Sequence, residues 1–148
     1  MDVASFALAI FAVLLSCVSL TWQIVSWRRS GPRVAVDASQ SLPMYDHGAG
    51  NWMVAITARN TGRAATTVTG WSLEFPTGDK LVMTNQLPWT PSLPHRLEAH
   101  SDATWFIDTD EVKQECAQRG VHYTDLRAVV SLASGEKVKA KNRGIGLK

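Results

Sequence analysis

The chain has 148 residues and a formal net charge of +2, and that charge is unevenly placed. Residues 1–33 hold three Arg against one Asp, while residues 34–148 hold twelve Lys and Arg against twelve Asp and Glu. The larger part is electrically neutral, which argues against a nucleic-acid-binding domain, and its length suits one ordinary domain with one core.

The first predicted element is Val3 to Trp27, 25 positions without a charged side chain, followed at once by Arg28-Arg29-Ser30-Gly31-Pro32-Arg33. At about 1.5 Å per residue such a helix covers roughly 37 Å, enough to cross a ~30 Å hydrocarbon layer with some tilt. Trp22 and Trp27 fall near its end, where indoles favour the interface. A buried core helix would show a charged face, and this stretch has none. A cleaved signal peptide would need a basic start and a shorter apolar run. Leu14-Leu15-Ser16-Cys17 is similar to a lipoprotein lipobox, but Val18 to Trp27 stays apolar where a polar linker would begin. The expected organisation is an anchor over 1–29, a linker over 30–33 and a soluble domain over 34–148. With Asp2 before the helix and Arg28, Arg29 and Arg33 after it, the positive-inside bias predicts a plasma (inner) membrane protein with its N-terminus outside and its C-terminal domain cytoplasmic.

Within the helix, Asp2, Ser5, Ala9, Ala12, Ser16, Ser19, Gln23 and Ser26 recur at spacings of three and four. They form a stripe of small or polar residues, the kind of surface on which membrane helices associate. Self-association, or docking on another membrane helix, is the expectation. Arg28, Arg29 and Arg33, with Lys137, Lys139 and Lys141 of the last strand, are candidate contacts for anionic lipid headgroups.

Past Ser30-Gly31-Pro32, alternation over Arg33 to Ser39 predicts a strand, and Ser41 to Asn51 reads as a loop with a flexible tip at Asp46-His47. Trp52 to Asn60 alternates again, with Trp52, Val54, Ile56 and Ala58 on one face, and Asn60-Thr61-Gly62 marks a turn. Thr66 to Phe75 is a strand with a bulge at Gly70; the turn Pro76 to Asp79 leads into Lys80 to Thr84 as a hairpin. Asn85 to Pro94, with Pro88, Pro91 and Pro94, is a loop. Short strands follow at His95 to Leu97 and Ala103 to Asp108. A helix begins at the cap Asp108, buries Val112 and Cys116, and stops at Gly120. Asp125 to Ala133 and Glu136 to Asn142 are the last strands, the second with Lys137, Lys139 and Lys141 on an exposed edge face. About seven strands, one short helix and the core anchors Trp71 and Trp105 predict a mainly β, antiparallel sandwich.

The run Ala58-Arg59-Asn60-Thr61-Gly62-Arg63 before Val68 and Trp71, with Leu93-Pro94-His95-Arg96-Leu97 before Trp105, resembles small uncharacterised bacterial membrane-anchored domains, actinobacterial or phage-borne, with an immunoglobulin-like sandwich. The resemblance covers most of the soluble domain and rests on turns and core residues. It implies the fold and no catalytic residues.

Chemistry is sparse in this sequence. His95, Glu98, His100 and Asp102 lie within eight residues, and an extended segment would bring Glu98, His100 and Asp102 to one face, as for a divalent metal ion; the spacing matches no strong zinc pattern, so the segment reads as a polar turn between two strands. His122 beside Tyr123 reads as a surface residue. Cys116 near a helix C-terminus should have a raised thiol pKa. The remaining two cysteine facts agree: Cys17 in the apolar helix and Cys116 in the domain cannot pair, and a domain without a disulfide suits the cytoplasm. Leu87, Trp89 and Pro91, in a stiff proline loop, are the candidate binding surface, with Trp89 either presented outward or folded back onto the end of the core. The expectation is a non-enzymatic interaction or assembly module without a cofactor, oligomerising through its helix, with the membrane and an unidentified protein as partners and no nucleic acid. The alternatives are a phage-type, holin-like or membrane-regulatory protein, and a metal-dependent enzyme around His95 to Asp102.

Overall fold

The computed structural model describes residues 2–82, 84, 86–141 and 144–145. The chain forms two compact units, Met1–Gly31 and Pro32–Lys148.

The first unit is one uninterrupted helix, α1 (Val3–Arg29), none of whose residues is buried. It is long and apolar enough to span a membrane. Hydroxyls inside it are satisfied locally: Ser16 Oγ donates to Ala12 O at 2.9 Å and Thr21 Oγ1 to Cys17 O at 2.8 Å. Back-bonding of this kind removes the cost of a bare hydroxyl in hydrocarbon. Arg28 and Arg29 occupy the last turn, where cations complement the helix dipole, and Ser30 closes it with Oγ and N–H both on Trp27 O.

The second unit is mostly β, with antiparallel sheets and one further α-helix. Its strands are β1 (Val34–Ser41), β2 (Met44–Tyr45), β3 (Gly48–Ala49), β4 (Met53–Asn60), β5 (Thr66–Glu74), β6 (Lys80–Leu81), β7 (His95–Leu97), β8 (Asp102–Asp108), β9 (Arg127–Leu132) and β10 (Lys137–Lys139). Helix α2 (Thr109–Arg119) lies between β8 and β9. One sheet has the order β1-β4-β8, another β10-β9-β5-β6 with β7 also on β5, and β2 pairs with β3. Alternation decides which side chains go inside. Val36, Val54, Ile56, Ala58, Trp105 and Ile107 from the first sheet share one buried cluster with Val68, Trp71, Leu73, Val130 and Leu132 from the second. Trp71 and Trp105 anchor this core as the sequence suggests.

Several local features follow from single residues. The β5–β9 register shifts between Val68 and Gly70, the bulge expected at that glycine. Asp108 caps α2 by accepting from the Asp110 N–H at 2.8 Å, and Gly120 ends it in the left-handed conformation at φ 66°. Arg119 then ties the helix end to the β5–β6 turn, 3.0 Å from Asp79 Oδ2 and 4.7 Å above the Phe75 ring.

The segment Ser41 to Asn51 is not a loop. Met44 pairs with Ala49, Tyr45 pairs with Gly48, and the Gly50 N–H donates to Pro43 O at 2.8 Å. These pairs prolong the β1–β4 hairpin, whose own register runs from Val34↔Asn60 to Ser41↔Met53. Asp46-His47 is the two-residue turn of that ribbon. Leu42 alone faces both Asn51 and Trp52 across this ribbon, and Trp52 lies just before β4, at the end of the ladder beyond the Met53↔Asp108 pair. Expected on the inward face with Val54, it is instead 53% exposed. Other boundaries shorten: among the described residues of Lys80 to Thr84, pairing covers Lys80–Leu81, with Met83 outside them, and Asp125 to Ala133 begins as a 3-10 turn (Tyr123–Asp125) before β9. The last strand ends at Lys139, and the expected reach to Asn142 lies outside the described residues.

Candidate functional site

Two residues organise the region around the proline loop. The first is Asn60, fully buried at the end of β4. Its Nδ2 donates to Ala64 O at 2.8 Å, Leu97 O at 3.3 Å and Glu98 O at 3.1 Å. Its Oδ1 accepts from the N–H of Arg33 at 3.2 Å and of Gly62 at 3.0 Å. One amide thereby joins the chain entering β1, the β4–β5 turn and the end of β7. Asn-Thr-Gly signals a turn in sequence, but nothing local shows that its side chain holds three segments.

The second is Trp105. The bonds Asn60 N–H to Ser101 O and Thr109 N–H to Trp52 O bracket the β4–β8 ladder and set its phase. Antiparallel alternation then directs the backbone groups of Ala103, Trp105 and Ile107 to β4, and those of Thr104 and Phe106 to the open edge of β8. Trp105 points into the core and Phe106 away from it. The Trp105 Nε1–H donates to Pro91 O at 2.9 Å, while Trp89 packs on Phe106 with ring centroids 5.0 Å apart. Residues two apart in the loop thus hold opposite sides of one edge strand, so the loop crosses its open edge. Edge strands are commonly covered in this way, and prolines suit the task because they lack an N–H.

Trp89 therefore does not fold back over the end of the core. It lies against the outer face of β8 and stays 48% exposed. The Thr90 N–H and Oγ1 both reach Leu87 O, at 3.0 and 2.8 Å, which stiffens the loop at the tryptophan. Leu87, Trp89 and Pro91 belong to this one strap.

The segment turns between β7 and β8, as its sequence suggests, so Glu98, His100 and Asp102 are not brought to one face. Ser101 folds back through N–H and Oγ onto Glu98 O, at 3.3 and 2.8 Å, and His100 takes a φ of 59°. Glu98 pairs with Arg96 at 2.6 Å, Asp102 faces Arg59 at 3.9 Å, and the His95 ring meets Trp105 edge-on at 6.2 Å. Among the described residues, no group of three or more His, Cys, Asp or Glu is placed to hold a metal ion. His122 caps the 3-10 turn by accepting from the Thr124 N–H at 3.3 Å. Cys116 is buried, and its thiol pKa is raised, chiefly by burial and then by the Glu115 charge; the sequence foresees the direction but assigns it to the helix dipole.

Ser5, Ala9, Ala12, Ser16, Ser19 and Gln23 share a face of the unbroken helix α1. Among the basic candidates, Lys137, Lys139 and Lys141 are exposed at or just past the edge strand β10. Lys139 is engaged with Glu74 at 2.9 Å, and that bond lowers the Glu74 pKa. Arg28 and Arg29 are exposed at the end of α1, and Arg33 directly precedes β1. Arg143 and Lys148, the remaining basic residues of the last stretch, lie outside the described residues.

No protein-family model matches the chain, and no curated protein matches it in sequence.

Proposed function

We propose that this chain is a single-pass membrane protein whose domain, an immunoglobulin-like sandwich of two sheets, serves as a non-enzymatic interaction or assembly module. Helix α1 crosses the membrane with its N-terminus outside, and the domain faces the cytoplasm. The observation that carries the reading is Trp89: a large aromatic, half exposed, held on Phe106 by a loop whose other side is tied to the core through Trp105. A rigid exposed tryptophan loses little conformational freedom on binding, which is why this residue type dominates interface energetics.

Copies associate through the stripe Ser5, Ala9, Ala12, Ser16, Ser19 and Gln23, where small side chains let backbones approach. Arg28, Arg29, Arg33, Lys137 and Lys141 meet anionic headgroups, with Lys139 contributing less because Glu74 neutralises it.

A photo-crosslinking residue at position 88, exposed and directly beside Trp89, introduced into the full chain in its native membrane, tests the module. The reading expects discrete protein adducts that disappear when the crosslinker is moved to Ser134, an exposed position in the β9–β10 turn. Equal, diffuse labelling from both positions would contradict it.

A further inference from the structure

Outside α1, the described residues expose six large apolar side chains: Leu42, Met44, Tyr45, Trp52, Val82 and Trp89. Four of them, Leu42, Met44, Tyr45 and Trp52, sit on the ribbon that prolongs the β1–β4 hairpin. Met44 is 74% exposed and Trp52 53%. A two-stranded ribbon alone is marginally stable in water, so apolar side chains at its tip need a reason other than packing.

The geometry restricts the partner. Consecutive strand residues point to opposite faces, so Met44 and Tyr45 stand on opposite sides of the ribbon. Tyr45 lies over Gly50, where an added Cβ would come within 2.6 Å of its ring, and it stacks on His47 at 5.4 Å. The tip is thus convex and apolar on both faces. A flat protein surface covers only one face of such a shape, whereas a fluid interface surrounds it. Residues 34–58 contain no Lys or Arg and only two acids, Asp37 and Asp46, so charge supplies little basis for choosing a protein partner. Leu, Met, Tyr and Trp are side chains suited to the boundary between headgroups and acyl chains.

We propose that this hairpin tip inserts shallowly into the interface of the bilayer that α1 crosses, with Leu42 and Met44 at the acyl boundary and Tyr45 and Trp52 at headgroup depth. The inference rests on α1 being a membrane anchor. From Arg29 to Tyr45 the chain spans at most roughly 55 Å even if fully extended, so the tether keeps a bilayer at high effective concentration around the tip. Asp46, at the turn, holds the apex among the headgroups and sets the shallow depth, because an ionised carboxylate is costly in hydrocarbon.

The test uses the full chain, Cys17→Ser and Cys116→Ala, in nanodiscs at one copy per disc. An environment-sensitive fluorophore is attached to Met44→Cys, or to Ser134→Cys as reference, and lipids brominated near the headgroup act as quenchers. The expected result is blue-shifted emission and at least threefold stronger quenching at position 44 than at 134, reduced to the reference level by Tyr45→Asp with Trp52→Asp. Circular dichroism of that variant checks that the domain stays folded. Water-like, unquenched emission at position 44 overturns the inference while leaving the anchor standing. A signal that appears only at two or more copies per disc overturns it in favour of a second copy as occupant. Failure of the chain to enter discs overturns the anchor, and the inference with it.

Discussion

Trp89 rests on Phe106 with ring centroids 5.0 Å apart and planes 46° from parallel, on the side of β8 that faces away from the core. The contact is a tilted aromatic pair of the kind worth about 0.5–1.5 kcal/mol beyond area burial. On the other side of the same strand, Trp105 donates to Pro91. The loop is therefore held by one contact that binding can use and one that it cannot.

These two tryptophans are predicted to respond differently. Trp89→Ala should lower stability by about 1 kcal/mol and abolish partner crosslinking. Trp105→Phe should cost about 1 kcal/mol through its hydrogen bond, and Trp105→Ala about 3–5 kcal/mol through the cavity. Urea denaturation of the detergent-solubilised full chain, followed by circular dichroism, measures all three. A loss at Trp89→Ala as large as that at Trp105→Ala would mean that Trp89 is a core residue.

Asn60→Ala should be among the costliest polar substitutions. Five hydrogen bonds converge on the amide, and its removal strands groups from three segments. The expected cost is about 3 kcal/mol or more. Asn60→Asp should fare no better, since it loses the donors to Ala64, Leu97 and Glu98 and sets a charge against their carbonyls. The same urea midpoints decide this, and a near-neutral Asn60→Asp would contradict the assigned roles of Nδ2 and Oδ1.

Association through α1 should fall when the stripe is filled. Ala9→Leu with Ala12→Leu is predicted to weaken self-association roughly tenfold, about 1.4 kcal/mol, while Leu14→Ile on the opposite face leaves it unchanged. Energy transfer between labelled copies in liposomes reads both. Equal effects of the two changes would show that the stripe is not the contact.

The Glu74–Lys139 pair predicts a sign for pH dependence. Lys139 lowers the folded-state pKa of Glu74, so the pair's stabilisation is fully present above the ordinary carboxylate value and is lost as pH falls through the depressed one. The stability difference between the parent chain and Lys139→Met should therefore be constant at neutral pH and shrink on the acid side of about pH 4.3. A difference that persists unchanged in acid would remove Glu74 as the partner.

Legibility from sequence tracked how local each feature is. The extent of α1, the Asp108 and Gly120 caps of α2, the Gly70 bulge and the lysine alternation of β10 are written in neighbouring residues, and they stand where expected. The ribbon of β2 and β3 escaped because each strand is two residues long and Pro43, Gly48 and Gly50 read as a loop. Trp52 escaped because it lies just before β4, past the last pair of the ladder that buries Val54. The position of Trp89 depends on which face of β8 carries Phe106, and the role of Asn60 on three segments far apart in the chain. Neither is encoded locally.

The membrane anchor and its orientation carry the whole account, and one labelling experiment tests them most directly. Single cysteines at Asp2, Gln118 and Ser134, all exposed, are placed in a Cys17→Ser, Cys116→Ala background and treated in intact cells with a membrane-impermeant maleimide. The account predicts labelling at position 2 and protection at 118 and 134 until the cells are opened. Labelling at 118 and 134 with protection at 2 would reverse the orientation drawn from Arg28, Arg29 and Arg33, and a chain released from membranes by alkaline washing would contradict the anchor itself.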